Sequence, residues 1–392
     1  MTDYKYLIVG GGMTADSAIR GIREVDPGGS IGLIGSESDP PYDRPPLSKG
    51  LWKGKPLEKI WRKTESLQVS LHLGQKVVSI NPDEHRVEDH QGNSYTGEKI
   101  LLATGGSPRR LPFGDDSVIY YRTLADYRRL LALTGQGKKD FAVIGSGFIG
   151  SEIAAALAGI GQKVTLLFPE TGIGERIYPK ALSQFLNGFY REKGVEVLPE
   201  EKVTALETRA GRHVLHTTNG KITVDAVVAG LGLQPNSELA AAAGLRTGNG
   251  IIVDEYLATS HPDIYSAGDV AEVFNATLDK RLRVEHEDNA NSMGKQAGRN
   301  MAGSREPYQH LSYFYSDLFE LGYEAVGELD PRLETFEDWQ EPFKKGVVYY
   351  LAQGRVRGVL LWNVWDKVPD ARTLIGLPGP FKPADLKGRL AG

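Results

Sequence analysis

One local pattern occurs twice in this chain: an apolar segment, a glycine-rich turn and a segment with helical periodicity, at residues 6–25 and again at residues 141–160. A strand, a glycine turn and a helix in this order form the βαβ unit that binds a dinucleotide. Two copies predict an α/β fold with two Rossmann-like dinucleotide-binding domains. We therefore expect two dinucleotide ligands.

The first turn fits the pattern G-x-G-x-x-A and is formed by Gly10, Gly11, Gly12, Met13, Thr14 and Ala15. Gly10 permits the tight turn, Gly12 leaves room for a pyrophosphate, and the small Ala15 lets helix and strand pack closely. The helix N-terminus offers free N–H groups to the phosphates. Glu37, which follows the next apolar strand, is predicted to accept hydrogen bonds from a ribose diol.

The second turn is a complete G-x-G-x-x-G, formed by Gly145, Ser146, Gly147, Phe148, Ile149 and Gly150. Glu170 follows the next strand, where its charge would accept a hydrogen bond from a ribose 2′-hydroxyl and repel a 2′-phosphate. NADH is therefore favoured over NADPH. Arg176 stands nearby and can bind phosphate, which makes this a preference and not a strict specificity.

Composition excludes several classes of function. The chain has no cysteine, so a dithiol relay, a cysteine-ligated iron–sulfur cluster and a thiolate nucleophile are impossible. A net charge of -4 argues against nucleic acid as a partner. Apolar strand sequence begins almost at the first residue and no long apolar run follows, so we expect neither a targeting peptide nor a membrane span, and a cytoplasmic location. No metal site is predicted.

Three further segments occur in this order: PPYDRPPLSKGLW at 40–52, ILLATGGSPRRLP at 100–112 and IYSAGDVAE at 264–272. With the two glycine turns they resemble the ferredoxin-reductase branch of the two-dinucleotide, glutathione-reductase-like flavoproteins. RVEHEDNA at 283–290 and FYSDLFELGYEAVGELD at 314–330 extend the resemblance, which is then to apoptosis-inducing factor and its prokaryotic relatives. The resemblance implies FAD at the first turn and NADH at the second.

The chain order then predicts a discontinuous FAD domain at 1–113 and 246–308, an NADH domain at 114–245, and a small α+β domain of interface or dimerisation type at 309–392. Within these, a hairpin is expected with its turn at residues 91–93, and another with its turn at Gln353 and Gly354. A homodimer is left open.

The resemblance also implies individual site residues. Beyond the first glycine turn, the FAD contacts would be Ser36, Glu37, Arg44, Lys49, Val77, Ala103, Thr104, Gly105, Arg122 and Asp269. Beyond the second, the nicotinamide and ribose contacts would be Glu170, Arg176, Gly232, Glu285, His286, Tyr315, Glu324 and Asn363. The residues closest to the chemistry would be Lys49, Glu152, Phe148, His286 and Tyr315.

Roles follow for the residues nearest the chemistry. Glu152 falls on the first turn of the second helix, where a buried carboxylate needs a cation, and the family-implied partner is Lys49 beside flavin N5. The ring of Phe148 would cover the flavin until nicotinamide displaces it. Tyr315 stands where apoptosis-inducing factor has tryptophan, so weaker stacking is expected.

The sequence leads to one main hypothesis and two alternatives. The first is an FAD-dependent oxidoreductase that takes a hydride from NADH and passes electrons to ferredoxin, rubredoxin, a quinone or a small acceptor. The second is a slow redox-sensing interaction protein, which holds an NADH-dependent reduced-flavin charge-transfer state that alters oligomer or partner binding. The third, suggested by FYSDLF, is an enzyme similar to monodehydroascorbate reductase.

Overall fold

The computed structural model describes residues 2–390. Its α-helices are α1 (Met13–Val25), α2 (Leu124–Thr134), α3 (Phe148–Gly159), α4 (Lys180–Glu192), α5 (Glu238–Ala242), α6 (Glu287–Met301), α7 (Val368–Gly376) and α8 (Pro383–Leu386). Its strands are β1 (Thr2–Val9), β2 (Ile31–Gly35), β3 (Ser70–Leu73), β4 (Val77–Asn81), β5 (Arg86–Asp89), β6 (Ser94–Leu102), β7 (Gly106–Pro108), β8 (Ile119–Tyr120), β9 (Asp140–Ile144), β10 (Lys163–Leu167), β11 (Val195–Leu198), β12 (Val203–Arg209), β13 (Arg212–Thr217), β14 (Lys221–Val224), β15 (Ala226–Ala229), β16 (Leu233–Pro235), β17 (Ile251–Ile252), β18 (Ile264–Ser266), β19 (Ala271–Asn275), β20 (Lys280–Leu282), β21 (Tyr313–Leu318), β22 (Leu321–Gly327), β23 (Glu334–Glu341), β24 (Lys345–Ala352) and β25 (Arg355–Trp362).

The chain forms two compact units, each assembled from separate stretches of sequence. The first unit contains the residues up to Arg44, Pro56–Ser107 and Gln234–Ser312. The second contains Pro45–Lys55, Pro108–Leu233 and the residues from Tyr313 onward. The predicted NADH and C-terminal regions therefore lie in the same unit, together with the short segment that carries Lys49. Which cofactor each region binds remains a prediction.

The first unit is built around a sheet in the order β3-β2-β1-β6-β5-β4, with β18 paired to β6. β1 is parallel to β2 and β6, and the predicted hairpin with its turn at 91–93 is present as the antiparallel pair β5 and β6. Helices α1 and α6 pack so closely that a Cβ on Gly294 would lie 2.4 Å from the Thr14 carbonyl oxygen, and one on Gly298 would lie 2.0 Å from that of Ala18. Glycine at these positions is therefore required by the close approach of the two backbones.

The second unit contains a parallel sheet in the order β11-β10-β9-β15-β8, a three-stranded antiparallel sheet β12-β13-β14, and a five-stranded antiparallel sheet β21-β22-β25-β24-β23. The predicted hairpin at Gln353 and Gly354 joins β24 to β25, and both turn residues have positive φ. These elements confirm the predicted class: two Rossmann-like parallel sheets, plus a C-terminal α+β part in which α7 packs on β22 and β25.

Candidate dinucleotide and redox site

The first glycine turn connects β1 to α1 as predicted. Gly10 has a φ of +132°, and a Cβ there would lie 2.1 Å from the carbonyl oxygen of Ala103, so a side chain is excluded by backbone. Gly12 is different, because a Cβ there would meet no protein atom within 4 Å. Its glycine is therefore not required by the protein's own packing. The open space in front of the α1 N-terminus fits a pyrophosphate that needs close backbone approach.

The glycines of the second turn fall into the same two groups, those crowded by backbone and one with open space at its Cβ. Cβ atoms on Gly145 and Gly150 would lie 2.4 Å from the Gly230 carbonyl oxygen and 1.9 Å from that of Gly145. A Cβ on Gly147 would meet nothing within 4 Å. Both turns thus keep an open space at the middle glycine, where a dinucleotide phosphate is expected, and the residues present fit two dinucleotides.

Glu37 lies after β2 in a small charged cluster. The Tyr42 hydroxyl donates to its Oε2 at 2.6 Å, and Arg44 pairs with its Oε1 at 3.0 Å. Burial acts to lower the pKa of Arg44, but Tyr42, Glu37 and Asp269 together raise it, so the guanidinium stays charged. An oriented carboxylate beside a fixed cation suits the predicted roles, in which Glu37 bonds the FAD ribose and Arg44 is a further FAD contact. Both roles stay predictions.

Glu170 lies after β10 at the predicted place. Arg176 donates from Nη2 to its Oε1 at 2.9 Å, although the Arg176 side chain is 84% exposed. The two residues predicted to compete over the 2′-position are therefore paired with each other. While this pair holds, the arginine is partly neutralised toward a phosphate.

The structure brings Lys49 and Glu152 together, 103 positions apart in sequence. Lys49 Nζ lies 2.7 Å from Glu152 Oε1, and their side chains are 12% and 2% exposed. Two hydroxyls complete the carboxylate: Ser48 Oγ donates to Oε2 and Ser316 Oγ donates to Oε1, each at 2.6 Å. A cation and two hydrogen-bond donors offset the cost of burying a carboxylate.

The backbone that carries Lys49 is itself held in the second unit. The carbonyl oxygen of Leu47 accepts hydrogen bonds from the Tyr121 hydroxyl at 2.5 Å and from Trp52 Nε1 at 2.7 Å. Because Leu47 is two residues from Lys49, these contacts fix the start of the lysine side chain. No sequence pattern indicated Tyr121 or Trp52.

Aromatic residues lie on α3 and β21, the elements that carry Glu152 and Ser316. Phe148, the first residue of α3, makes an edge-to-face contact with Phe314 at 5.3 Å between ring centroids. Lys49 Nζ lies 5.3 Å from the centroid of the Tyr315 ring. Tyr315 is in register with Glu324 on the neighbouring strand. Lys49, Glu152, Tyr315 and Glu324 thus belong to one region of the second unit.

Glu324 has a polarised environment. Burial, assisted by the charge of Asp366, raises its pKa. Within residues 2–390, Glu324 Oε2 finds no hydrogen-bond donor. Because this oxygen is itself buried, a ligand could bond to it only after a local rearrangement, and the nicotinamide contact stays a prediction.

The other predicted residues have these positions. In the first unit, Val77 is buried in an apolar core, and the Thr104 hydroxyl donates to the Asn236 carbonyl. Arg283 pairs with Glu285 at 2.6 Å and donates from Nη1 to the Asp269 carbonyl at 2.9 Å. His286 directly precedes α6. Ser36 follows β2, and Ala103 and Gly105 follow β6. In the second unit, Arg122 lies just before α2, its backbone N–H bound to Asp126. Gly232 has a φ of +85°, and Asn363 binds the backbone of Gly322 and Lys344. Both polar atoms of the Asn363 amide are therefore engaged with the fold.

Sequence reasoning missed a buried carboxylate next to the first turn. Asp16 is fully buried on α1 and accepts hydrogen bonds from Arg20, Arg62 and Thr64, each with a contact between 2.7 and 2.8 Å. Burial acts to raise its pKa, but these donors and the charge of Arg62 lower it overall. Arg62 also reaches Asp43 at 2.7 Å. The signal that could have found it is an acid on the inner face of a helix.

Among residues 2–390, no group of His, Cys, Asp and Glu is arranged to hold a metal ion. Over that same part of the chain, no helix is long and apolar enough to cross a membrane.

Comparison with known proteins gives the family. The model for pyridine nucleotide-disulphide oxidoreductases matches residues 4–294. The chain belongs to the pyridine nucleotide-disulphide oxidoreductase family. The remainder matches the C-terminal domain of apoptosis-inducing factor, at residues 297–341 and 336–376. The resemblance inferred from sequence is confirmed over both parts of the chain.

Individual relatives fall in two functional groups. Apoptosis-inducing factor 1, mitochondrial, of Dictyostelium discoideum is 34% identical over 95% of this chain and 78% of its own length. The ferredoxin--NAD(+) reductase component of the anthranilate 1,2-dioxygenase system of Burkholderia cepacia is 32% identical over 97% of each chain. Among solved structures, the reductase of the covalent putidaredoxin reductase–putidaredoxin complex superposes with a TM-score of 0.90 at 29% identity, over 98% of this chain and 95% of that one.

As a member of this pyridine nucleotide-disulphide oxidoreductase family, the protein is an NAD(P)H-dependent flavin oxidoreductase that uses FAD. The disulphide chemistry in the family name is not available to it, since the chain has no cysteine. Its two glycine turns fit the two dinucleotides that the family requires.

Proposed function

We propose that the protein oxidises NADH and passes the electrons, through FAD, to a ferredoxin-type iron–sulfur protein. The observation that carries the proposal is the buried pair of Lys49 and Glu152, which holds a compensated positive charge beside the Tyr315 ring. The names of relatives that span the whole chain support the acceptor, because several are ferredoxin reductases. The acid that follows β10, Glu170, supports NADH as the donor.

The side chains have distinct roles in this proposal. FAD, when bound, accepts a hydride and releases electrons singly. The turn at Gly147 admits the NADH pyrophosphate, and Glu170 accepts a hydrogen bond from the adenosine ribose. Lys49 holds a positive charge at the reacting end of the site, and Glu152 keeps that ammonium in place. Phe148 and Tyr315 exclude water from this region, which strengthens the electrostatic contribution of the lysine.

The test is an anaerobic titration of the FAD-loaded protein with NADH, and in parallel with NADPH, followed by addition of an oxidised plant-type or dioxygenase-type ferredoxin. We expect NADH to bleach the flavin absorption at lower concentration than NADPH, and ferredoxin to restore it within seconds. A flavin that NADH does not bleach would refute the proposal. Bleaching without reoxidation by any ferredoxin would refute the acceptor alone.

A second candidate function is favoured by the match of residues 297–376 to the C-terminal domain of apoptosis-inducing factor. In this reading the reduced protein persists and changes its association state. Admission of air after the titration distinguishes the two readings. Long-wavelength absorption that lasts for minutes, with an increase in mass on analytical ultracentrifugation, would favour the sensing role and a homodimer.

We further propose a cytoplasmic location, where NADH is available. Within residues 2–390 no helix has the length and apolar character of a membrane span, which is compatible with this location. Fractionation of the source cells, with detection by antibody, would test this. Recovery in the membrane or periplasmic fraction would contradict it.

A further inference from the structure

The carboxylate of Glu152 is held by more than its lysine partner. Oε1 accepts from both Lys49 and Ser316, while Oε2 accepts from Ser48. Ser48 and Ser316 are themselves buried, with 5% and 1% of their surfaces exposed. Neither hydroxyl has access to bulk water as an alternative partner. Their hydrogen bonds to the carboxylate are therefore not readily exchanged.

Three tyrosines near Glu152 carry no charge near neutral pH. Tyr178, Tyr190 and Tyr323 face it from the loop before α4, from α4 and from β22, and burial raises the pKa of each tyrosine well above its usual range. Lys49 is the cation in contact with the carboxylate. The Glu152 carboxylate is thus bonded to one ammonium and two hydroxyls, and a buried carboxylate that loses a donor loses much of its stabilisation.

We propose that Ser316, together with Ser48, is a positioning residue that holds the Glu152 carboxylate in one orientation, and so fixes the ammonium of Lys49 beside Tyr315. The inference rests on the proposed function, which places Lys49 at the reacting end of the flavin. Neither serine touches the reacting atoms. Their effect on hydride acceptance passes through Glu152 and Lys49.

The position of Ser316 in the sheet supports this role. It follows Tyr315 directly on β21, and the strand is held in register by β22, where Tyr323 lies opposite Ser316. The same strand therefore sets the ring that contacts Lys49 and the hydroxyl that contacts Glu152. Ser48 precedes Lys49 in sequence, so each serine neighbours one member of the cation–ring pair.

The experiment compares the FAD-loaded wild-type protein with Ser316→Ala, Ser48→Ala, Ser316→Thr and Glu152→Gln. Anaerobic stopped-flow gives the limiting rate of flavin reduction and the apparent NADH dissociation constant, and a dye-coupled titration gives the flavin midpoint potential. For Ser316→Ala we expect a rate about tenfold lower, as loss of one charge-assisted hydrogen bond predicts, with an unchanged dissociation constant and a more negative potential. Ser316→Thr, which keeps the hydroxyl, restores both values.

The control is Thr165→Val. Thr165 is buried and also donates its hydroxyl to a carboxylate, Glu196 Oε2 at 2.8 Å, but Glu196 is exposed and the pair lies on the parallel sheet. We expect its rate and potential to equal those of the wild type. If the role of Ser316 were merely structural, Ser316→Ala and Thr165→Val would have similar rates of flavin reduction and similar midpoint potentials.

A double-mutant cycle separates positioning from general damage. In the Glu152→Gln background, Ser316→Ala is expected to change the midpoint potential no further, because the charge through which it acts is gone. If Ser316→Ala does not fold, Ser48→Ala gives the same comparison. Wild-type rate and potential in both alanine variants would overturn this inference and leave the proposed function intact. A wild-type flavin that NADH does not reduce would overturn the proposed function itself.

Discussion

Replacement of Lys49 by methionine tests the energetics of the buried pair. The two charges lie 2.7 Å apart, which gives a gross attraction of about 6 kcal/mol at an effective dielectric constant of about 20. Methionine fills the lysine volume but leaves Glu152 buried with two hydroxyl donors and no cation. Removing one partner of a buried pair costs about 3–5 kcal/mol, so we expect Lys49→Met to lower the free energy of unfolding by about that amount.

The double variant Lys49→Met/Glu152→Gln is expected to recover most of this loss, to within about 1 kcal/mol of the wild type, because no buried charge remains and the amide can still bond both serines. The assay is urea unfolding at fixed excess FAD, followed by tryptophan fluorescence and circular dichroism. Both variants should remain slow in flavin reduction, since both lack the ammonium. Stability would thus return without activity.

The control for surface charge is Lys53→Met. Lys53 is 58% exposed and lies 3.4 Å from Asp317, so its loss should change the unfolding free energy by less than about 1 kcal/mol. The reasoning fails if Lys49→Met unfolds at the wild-type urea concentration. It fails equally if the double variant is as unstable as the single one.

Three further predictions concern the dinucleotide turns and their surroundings. Glu170→Ala should weaken NADH binding about tenfold and strengthen NADPH binding, because it removes an acceptor for the 2′-hydroxyl and frees Arg176 for a phosphate. The ratio of the NADH and NADPH dissociation constants measures this effect, and an unchanged ratio counts against the ribose assignment. Gly12→Val should abolish FAD retention without loss of folding, since Gly12 has ordinary extended φ and ψ and open space at its Cβ; the FAD content of the purified protein and its far-ultraviolet circular dichroism check this, and a yellow, fully loaded variant would contradict it. Asp16→Asn should lower the free energy of unfolding by about 3–5 kcal/mol at pH 7, because Asp16 is buried and bonded to Arg62. The pKa of Asp16 in the folded protein lies below its ordinary 3.8, so the loss is complete above pH 3.8 and fades as the pH falls through the folded pKa. Urea midpoints that differ from the wild type equally at pH 7 and pH 3 would be inconsistent with this assignment.

The glycine turns could be read from the sequence because their physics is local. Tight turn, phosphate space and helix start all fall within six residues, and the two kinds of glycine are distinguished by position alone. The structure adds the reason for each: a side chain at Gly10 would collide with the backbone of Ala103, whereas a Cβ at Gly12 would meet no protein atom within 4 Å. The sequence spacing thus predicted the turn correctly. The structure distinguishes the glycine that folding requires from the glycine that leaves space for a ligand.

The pair of Lys49 and Glu152 could not be derived from spacing. The two residues are 103 positions apart, and Lys49 lies in a short segment of 3₁₀ turns with no periodicity. A resemblance to a known family supplied the partner, and the structure supplied the contact. Ser316 lies 164 positions from Glu152, and the sequence does not predict its contact with Glu152 because a lone serine on a strand carries no local signal. Long-range side-chain pairs of this kind depend on topology, which residue order alone does not determine.

The lack of cysteine limits where the electrons from NADH can go. A flavoprotein with a redox-active cysteine pair can store two electrons in that pair before they leave, but this chain has no thiol in which to store them. Electrons taken from NADH must therefore leave from the flavin to an acceptor outside the chain. In the proposed function, the ammonium of Lys49 supplies the positive charge that stabilises the reduced flavin. The two serines that hold its partner Glu152 would then influence the energy at which electrons leave the flavin, in addition to their contribution to folding.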